Sequence, residues 1–179
     1  MLKIVFFFFS IVPIFAEDML TKPCYDAEGT EVACTKSSSK PEFKDKGNGI
    51  ILDTSGLMWQ NDYKDNKAFE ESGKVPHLTH SEALKYCSAI NLGGYNDWRL
   101  PIRRELRSLA DYSKSMGCIK PAPAIADVFI STVQTDDWYW SATDYEENTT
   151  AAWAIFFYNG YLGWNSKDRT GYVRCVRNL

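Results

Sequence analysis

The chain has 179 residues, a formal net charge of −3 and 45% hydrophobic residues. This length and composition fit one globular domain with a sizeable core and exclude a largely disordered chain. The mildly acidic balance disfavours nucleic-acid binding, because proteins of that class carry an excess of Lys and Arg to neutralise phosphates.

Residues 1–16 are predicted to form a cleaved signal peptide. Lys3 precedes an almost entirely apolar run, residues 4–15, and Ala16 fits the cleavage position. The run is shorter than the roughly 20 apolar residues that a transmembrane helix needs, so no membrane span is predicted. We expect an exported protein that is secreted, periplasmic or at the cell surface. Removal of Lys3 leaves 19 basic side chains against 23 acidic ones.

Export determines how the five cysteines are interpreted, since an oxidising compartment favours disulfides. Cys24 and Cys34 flank a strand-turn-strand pattern and are predicted to pair. Cys87 on the first predicted helix and Cys175 on the last predicted strand form the second predicted pair. Cys118 is then left over, either as a buried or idle thiol or as half of an intermolecular bridge.

Two regions are predicted after the signal peptide. Residues 17–41 hold the Cys24/Cys34 hairpin and a polar linker, and residues 42–179 form the compact domain. Residues 43–60 predict two short strands around a turn rich in Gly and Asn. The polar residues in and beside this turn are Asp45, Asn48 and Asp53. They lack EF-hand spacing, so a plain turn is predicted, with bound calcium as the alternative.

Two helices are predicted next. Thr79 and Glu82 form a capping box at the start of the first helix, whose apolar residues carry Cys87 towards the core. The pair Gly93-Gly94 is predicted to end this helix. The second helix is predicted over residues 102–112. Its buried face is expected to contain Leu106, Leu109 and Ala110.

The last third of the chain is predicted to form mainly strands. Residues 138–141 and 153–158 are predicted strands, and the second is apolar on both faces, as a central strand would be. Asn159-Gly160 is a tight-turn signal, so residues 161–164 should return antiparallel, and residues 172–176 should close the sheet. The fold class predicted from this order is α+β, with two helices packed on short, mostly antiparallel strands.

Several large side chains inside these elements are predicted to be buried. Trp98, Trp140 and Trp153 are expected in the core. Two arginines, Arg99 and Arg174, are expected to orient the turn before the second helix by pairing with buried carboxylates. The candidate carboxylates are Asp97 and Glu105.

Several blocks of the sequence resemble, in order and spacing, a bacterial domain family typified by the C-terminal domain of the Legionella collagen-like protein. They are Cys24-Tyr25-Asp26, Gly56-Leu57-Met58-Trp59-Gln60, Ala83-Leu84-Lys85-Tyr86-Cys87, Asp97-Trp98-Arg99-Leu100-Pro101 with Glu105-Leu106, Tyr139-Trp140-Ser141 and Val173-Arg174-Cys175-Val176-Arg177. The resemblance implies a C-type-lectin-like fold in which a helix cysteine is tied to the last strand. The collagen-like member is a trimeric surface adhesin that binds sulfated glycosaminoglycans.

The block Arg99-Leu100-Pro101 with Glu105-Leu106 is also similar to the formylglycine-generating enzymes. Those enzymes bind copper through a cysteine pair near the C-terminus, whereas here Cys175 stands alone in that region. The calcium-dependent sugar motifs of true C-type lectins, Glu-Pro-Asn and Trp-Asn-Asp, have no counterpart in this sequence. The resemblance therefore favours a protein that is not an enzyme.

Few residues suggest catalysis or a cofactor. His77 and His80 are predicted to be a surface pair near a helix start, and a metal site completed by Glu82 is the alternative. The sequence contains no nucleophile elbow and no phosphate-binding glycine loop. We therefore predict no catalytic residues and no cofactor.

A ligand is predicted to bind to exposed aromatic and basic side chains. The aromatic candidates are Tyr145, Tyr161 and Trp164, whose rings could stack on sugars. The basic candidates, which could pair with sulfates or carboxylates, are Arg103, Arg104, Arg107, Lys167 and Arg169. The predicted function is an adhesin-like module for a glycan, such as a sulfated glycosaminoglycan, or for a host surface protein.

Two other functions are considered. A structural domain could self-assemble into a homo-oligomer through the two-faced apolar strand of residues 153–158 and through Cys118. A degenerate relative of the formylglycine-generating enzymes is the third interpretation.

Overall fold

The computed structural model describes residues 41–63, 75–115 and 123–179, together with the backbone of two short strands, Cys24–Tyr25 (β1) and Glu31–Val32 (β2). The chain forms two compact units, residues 1–39 and 40–179. In the first unit, β1 and β2 pair antiparallel. Cys34, Cys118 and the predicted signal peptide lie outside the described residues, so the Cys24/Cys34 bond and the role of Cys118 stay predictions.

A four-stranded antiparallel sheet forms one side of the second unit. Its strands are Phe43–Asp45 (β3), Ile50–Asp53 (β4), Leu57–Gln60 (β5) and Val176–Asn178 (β11), in the order β11-β5-β4-β3. Residues 43–60 thus form three strands rather than the two predicted. The additional reversal depends on Asp53, whose carboxylate accepts hydrogen bonds from the backbone N–H groups of Ser55 and Leu57 at 2.8 and 3.0 Å.

The carboxylates near these turns serve the fold. Asp53 is 4% exposed and also accepts a 2.8 Å hydrogen bond from the indole of Trp59. Asp45 accepts one from the backbone N–H of Gly47 at 2.7 Å. Among the described residues, no group of three or more His, Cys, Asp or Glu side chains is arranged to hold a metal ion. Nothing in this geometry favours the calcium alternative over a plain turn.

A five-stranded sheet forms the other side. Its strands are His77–Thr79 (β6), Tyr139–Tyr145 (β7), Asn148–Phe156 (β8), Tyr161–Ser166 (β9) and Thr170–Tyr172 (β10), in the order β6-β10-β7-β8-β9. The pairs are antiparallel except β10 with β7. The strand predicted over residues 153–158 corresponds to β8, an interior strand that begins earlier and ends at Phe156, and its turn to β9 at Asn159-Gly160 is confirmed. The prediction of one closing strand over residues 172–176 is wrong, because β10 and β11 belong to different sheets.

The helices are shorter than predicted. They are His80–Ala89 (α1), Arg103–Ser108 (α2) and Tyr112–Ser115 (α3), and a 3₁₀ turn covers Asp127–Phe129. The capping interaction at α1 is confirmed, since Glu82 accepts the backbone N–H of Thr79 at 2.9 Å. Gly93-Gly94 does not end α1. With φ angles of 63° and 83°, these glycines form a separate turn between Leu92 and Tyr95.

A buried crossover, residues 173–175, links β10 to β11 and therefore joins the two sheets. The predicted bond between Cys87 and Cys175 is confirmed, although Cys175 lies just before the last strand. It closes a loop with a sequence separation of 88 residues. In the loop-entropy account, such a bond contributes about 4–5 kcal/mol to stability. The crossover is thereby fixed to α1.

Arg174 lies at the centre of this crossover and is 0% exposed. Its guanidinium donates to the carbonyl of Gln60 at 2.7 Å and to the hydroxyl of Thr132 at 3.0 Å, and it lies 4.6 Å from the ring centroid of Phe129. The prediction that a carboxylate pairs with Arg174 is wrong. Each candidate acid has another arginine partner, and carbonyl and hydroxyl oxygens accept from the two terminal NH groups of Arg174 instead, while its Nε has no hydrogen-bond partner among the described residues.

The turn before α2 is fixed by the other predicted arginine. Arg99 donates to both carboxylate oxygens of Glu105 at 2.7 Å, which confirms that pairing. Burial tends to raise the pKa of Glu105, but the hydrogen bonds from Arg99 and from the Ile102 N–H outweigh burial, so the pKa is lowered. The backbone of Arg99 also pairs with Val176 of β11. The turn therefore links α2 to the last strand.

The order of helices and strands confirms the α+β prediction, and the core shows which large side chains are buried. Trp98 and Trp140 are 2% and 0% exposed, as predicted, but Trp153 is only partly buried. The two sheets enclose apolar clusters that include Trp59 and Leu106 on one side and Trp98 and Trp140 on the other. Within the described ranges, no helix is long and apolar enough to cross a membrane.

Replacing Arg174 should destabilise the domain strongly. Arg174→Ala leaves buried oxygen acceptors without a donor, so the free energy of unfolding should fall by about 3 kcal/mol. Chemical denaturation of the oxidised protein measures this change. Arg104→Ala, at an exposed position of α2, is the matched control and should change stability little. An equal stability of the two variants would contradict a structural role for Arg174.

Glu105→Gln should weaken the domain in a pH-dependent way. Because the folded-state pKa of Glu105 is lowered, its contribution is present above the usual value of about 4.5 and is lost as the pH falls. At pH 7 the variant should be less stable by about 1 kcal/mol. The difference from wild type should shrink below pH 4.5. Denaturation curves between pH 7 and 3 measure this difference in stability, and the exposed Glu42→Gln variant is the control. A stability difference that did not depend on pH would contradict the role of the Glu105 carboxylate.

Candidate functional site

A groove opens on one face of the hairpin formed by β8 and β9. Cross-strand partners lie on the same face of a sheet, and here Ala154 faces Gly163 and Phe156 faces Tyr161. We call this depression, of about 310 Å³, the aromatic groove. It is lined by the aromatic residues Trp138, Phe156, Tyr161 and Trp164, by the small residues Ala154 and Gly163, and by the polar residues Asp136, Asp137 and Asn165.

The small residues leave room for the rings. A Cβ atom at Gly163 would lie 2.7 Å from a ring carbon of Tyr161, so the tyrosine ring lies directly over this glycine. Tyr161 itself is 66% exposed and Trp164 is 53% exposed. The ring of Tyr161 is thus available to a ligand beside the groove floor, whereas the ring of Trp164 stacks on Tyr145.

Trp138 forms another wall. It packs on Gly171, where an added Cβ would lie 2.4 Å from the indole nitrogen. That nitrogen is buried and has no hydrogen-bond partner among the described residues. The guanidinium of Arg169 lies 5.3 Å from the Trp138 ring centroid. Trp138 therefore offers its ring surface rather than its N–H group.

Two carboxylates lie at the groove in fixed positions. Asp136 accepts a 2.9 Å hydrogen bond from the hydroxyl of Tyr172. Burial first, and then this hydrogen bond, raise the pKa of Tyr172 far above its usual value, so the hydroxyl remains a donor. Asp137 accepts from the backbone N–H of Trp138 at 2.8 Å and contacts the ring nitrogen Nε2 of His77 at 2.8 Å. These contacts orient both acids without a Lys or Arg partner among the described residues.

A second set of rings lies on the opposite face of the hairpin, near the start of α2, since Trp153 pairs with Trp164 one residue along from the Ala154–Gly163 pair. The rings of Tyr145 and Trp164 stack with centroids 5.0 Å apart, and Tyr145 meets Trp153 edge-on at 5.5 Å. The guanidinium of Arg103 lies 4.4 Å from the ring centroid of Trp153. We call these four residues the aromatic stack. Trp153 is consequently a surface residue beneath an arginine, and its prediction as a core residue is wrong.

The polar groups of the aromatic stack are already paired. Glu146 accepts from the indole of Trp153 at 3.0 Å, which lowers the pKa of this carboxyl, and lies 3.9 Å from Arg103. Glu147 accepts from the hydroxyl of Tyr145 at 2.7 Å. The stack therefore presents few unpaired polar groups to a ligand.

The predicted ligand-binding residues are divided between several places. Tyr161 and Trp164 lie at the aromatic groove, and Arg103, Tyr145 and Trp164 form part of the aromatic stack. Arg104 and Arg107 are exposed on α2. Lys167 is paired with Asp144 at 2.8 Å and donates to the carbonyl of Thr149 at 2.7 Å, while Arg169 lies by Trp138.

Sequence reasoning missed most of the groove. The residues not singled out as ligand-binding are Asp136, Asp137, Trp138, Phe156 and Asn165. The available signal was an acidic pair directly before an aromatic strand. Asp136, Asp137 and Trp138 meet β9 only because three strands pair in a particular register, and a single sequence does not reveal that register.

The two histidines occupy different environments. His80 is 4% exposed, and its Nε2 lies 2.9 Å from the carbonyl of Ser141. Burial lowers the pKa of His80. His77 is exposed and contacts Asp137. The prediction of a surface pair is therefore wrong for His80, which packs under β7.

The comparison with known families gives one match. The Lcl C-terminal domain family matches residues 49–177, which is more than half of the chain. The match includes both sheets, apart from β3 and the last residue of β11, and the entire aromatic groove. No curated protein matches the chain.

Proposed function

The chain belongs to the Lcl C-terminal domain family, and from this membership and the aromatic groove we propose that it is an exported, non-enzymatic glycan-binding module. Its fold is proposed to be C-type-lectin-like, as the family resemblance implies. The α+β architecture and the disulfide from α1 to the segment before the last strand support this assignment.

The aromatic groove is the observation that carries the proposal. Its volume of about 310 Å³ is at the lower end of small-molecule sites and suits one or two sugar rings. Aromatic faces carry partial negative charge, which attracts the polarised C–H groups of a sugar face. Tyr161 is exposed enough to provide such a face without rearrangement.

The polar lining suits hydroxyl groups. Asp136 and Asp137 are oriented acceptors, and charge-assisted hydrogen bonds to carboxylates are stronger than neutral ones. Asn165 accepts the N–H of Ser166 at 3.0 Å through its side-chain oxygen, which leaves its amide nitrogen available to donate. Aromatic faces together with a few fixed polar groups could distinguish sugars by the orientation of their hydroxyl groups.

A non-enzymatic role is supported by the cysteine chemistry. The sulfur of Cys175 is bonded to Cys87, so it is not a free thiolate that could bind copper as in the formylglycine-generating enzymes. The partner is proposed to be an extracellular glycan or a host surface glycoprotein, which would make the module adhesin-like. Export and surface location follow from the predicted signal peptide.

Self-assembly is a second candidate function, favoured by β9. This strand is at the edge of the five-stranded sheet and contains no charged residue. Natural edge strands usually carry charges or bulges that prevent pairing. Light scattering across a concentration series tests this candidate, and a monomer at every concentration would exclude it.

Tyr161→Ala should abolish most glycan binding because it removes the most exposed ring of the groove. A loss of about 1–3 kcal/mol, or about fivefold to 150-fold in affinity, is expected from a deleted stacking ring. Binding is measured by tryptophan fluorescence against a panel of neutral, sulfated and amino glycans, since Trp138 and Trp164 lie at the groove.

Tyr95→Ala is the matched control, because it makes the same substitution at a tyrosine that does not line the groove. Tyr95 is 38% exposed. The variant should bind like wild type. If the wild-type protein bound no member of the panel, or if both variants bound equally well, the proposed function at this groove would be wrong.

A further inference from the structure

We propose that the aromatic groove selects a sugar carrying a free, protonated amino group, such as a glucosamine unit, over sulfated or N-acetylated sugars. This inference rests on the proposed glycan-binding function and specifies its ligand class. The family resemblance leads to the expectation of a sulfated ligand, whereas the charges that line the groove favour a cationic one.

The charged residues that line the groove are both acidic. Asp136 and Asp137 contribute carboxylates, and no Lys or Arg is among its described lining residues. A sulfate group placed there would meet like charge, whereas an ammonium group would meet opposite charge. The net charge of −3 adds a weak attraction for cations at long range.

The carboxylates are held in place before a ligand arrives. Asp136 is fixed through one oxygen by the hydroxyl of Tyr172, and its other oxygen remains available. Asp137 is fixed by the N–H of Trp138 and by His77, and each of its oxygens retains a lone pair. An ammonium group has three donors and could satisfy both acids. Such preorganisation lowers the entropic cost of binding.

The rings add to the same preference. A cation within about 6 Å of an aromatic centroid is attracted by the ring quadrupole. The groove presents Trp138, Phe156, Tyr161 and Trp164 around its carboxylates. A sugar that stacks on Tyr161 would therefore direct an ammonium substituent into a region that is both electron-rich and anionic.

Several candidate basic residues have internal partners. Arg103 lies over Trp153, and Lys167 is paired with Asp144. Arg169 is the cation beside the groove, with its guanidinium 5.3 Å from the Trp138 centroid, but it is not a lining residue. Among the described residues, the groove thus offers an ammonium group two oriented acids and offers a sulfate no lining cation.

The test compares three probes of equal length: glucosamine oligomers, fully N-acetylated glucosamine oligomers and heparin oligosaccharides. Calorimetry at a mildly acidic pH, which keeps the amines protonated, gives the affinities at low and high salt. The glucosamine oligomer should bind about tenfold more tightly than its N-acetylated counterpart and more tightly than heparin. Salt should reduce this preference, because it screens partly exposed charges.

Asp136→Asn removes one charge and retains an oxygen that can accept from Tyr172. It should reduce binding of the glucosamine oligomer about fivefold or more and leave the N-acetylated oligomer nearly unaffected. Asp168→Asn is the control, since Asp168 is exposed, carries the same charge and does not line the groove. Melting curves of both variants verify that they fold.

The outcomes separate this inference from the function on which it rests. Equal binding of acetylated and free amino oligomers, or tighter binding of heparin, overturns the ligand class but leaves a glycan-binding groove. Equal effects of Asp136→Asn and Asp168→Asn overturn the assigned role of the groove carboxylates. Absence of binding to all three probes and to the wider glycan panel overturns the proposed function itself.

Discussion

Residues 173–175 carry the chain from the five-stranded sheet into the four-stranded one, and their buried contacts hold both sheets together. Arg174 donates to the end of β5 and to Thr132, while Cys175 is bonded to α1 and its N–H donates to the side chain of Gln60 at 3.2 Å. The terminal NH groups of this buried guanidinium donate to oxygens of two other segments, whereas its Nε has no partner among the described residues. The positions of three segments around Arg174 are consequently coupled, and the groove-bearing sheet is anchored at β10.

The aromatic groove depends on this anchoring indirectly. β10 runs beside β7, and Gly171 on β10 provides the surface on which Trp138 lies. Tyr172, the next residue, fixes Asp136. The wall and one carboxylate of the groove therefore share a strand that ends at the crossover, whereas Tyr161 comes from β9 at the opposite side of the sheet.

The charged side chains fall into two groups: those that pair with other groups within the fold and those that line the groove. Arg99 and Arg177 pair with Glu105 and Asp97 around the turn before α2, and Arg174 is fully buried. These arginines serve the fold. The groove retains two carboxylates, of which Asp136 is held by the Tyr172 hydroxyl and Asp137 by the Trp138 N–H and by His77, and this acidic lining agrees with the overall charge of −3.

The amino-acid sequence alone predicts the α+β class, the capped helix, the bond of Cys87 to Cys175, the β8–β9 hairpin and the family resemblance. Each follows from local periodicity, turn chemistry or spacing along the chain. Long-range contacts divide residues 170–178 between two sheets, leave Arg174 without Asp97 or Glu105 as a partner, and keep Trp153 only partly buried. They also decide that Asp136 and Trp138 meet Tyr161, because strand register, which depends on contacts between distant segments, fixes that encounter.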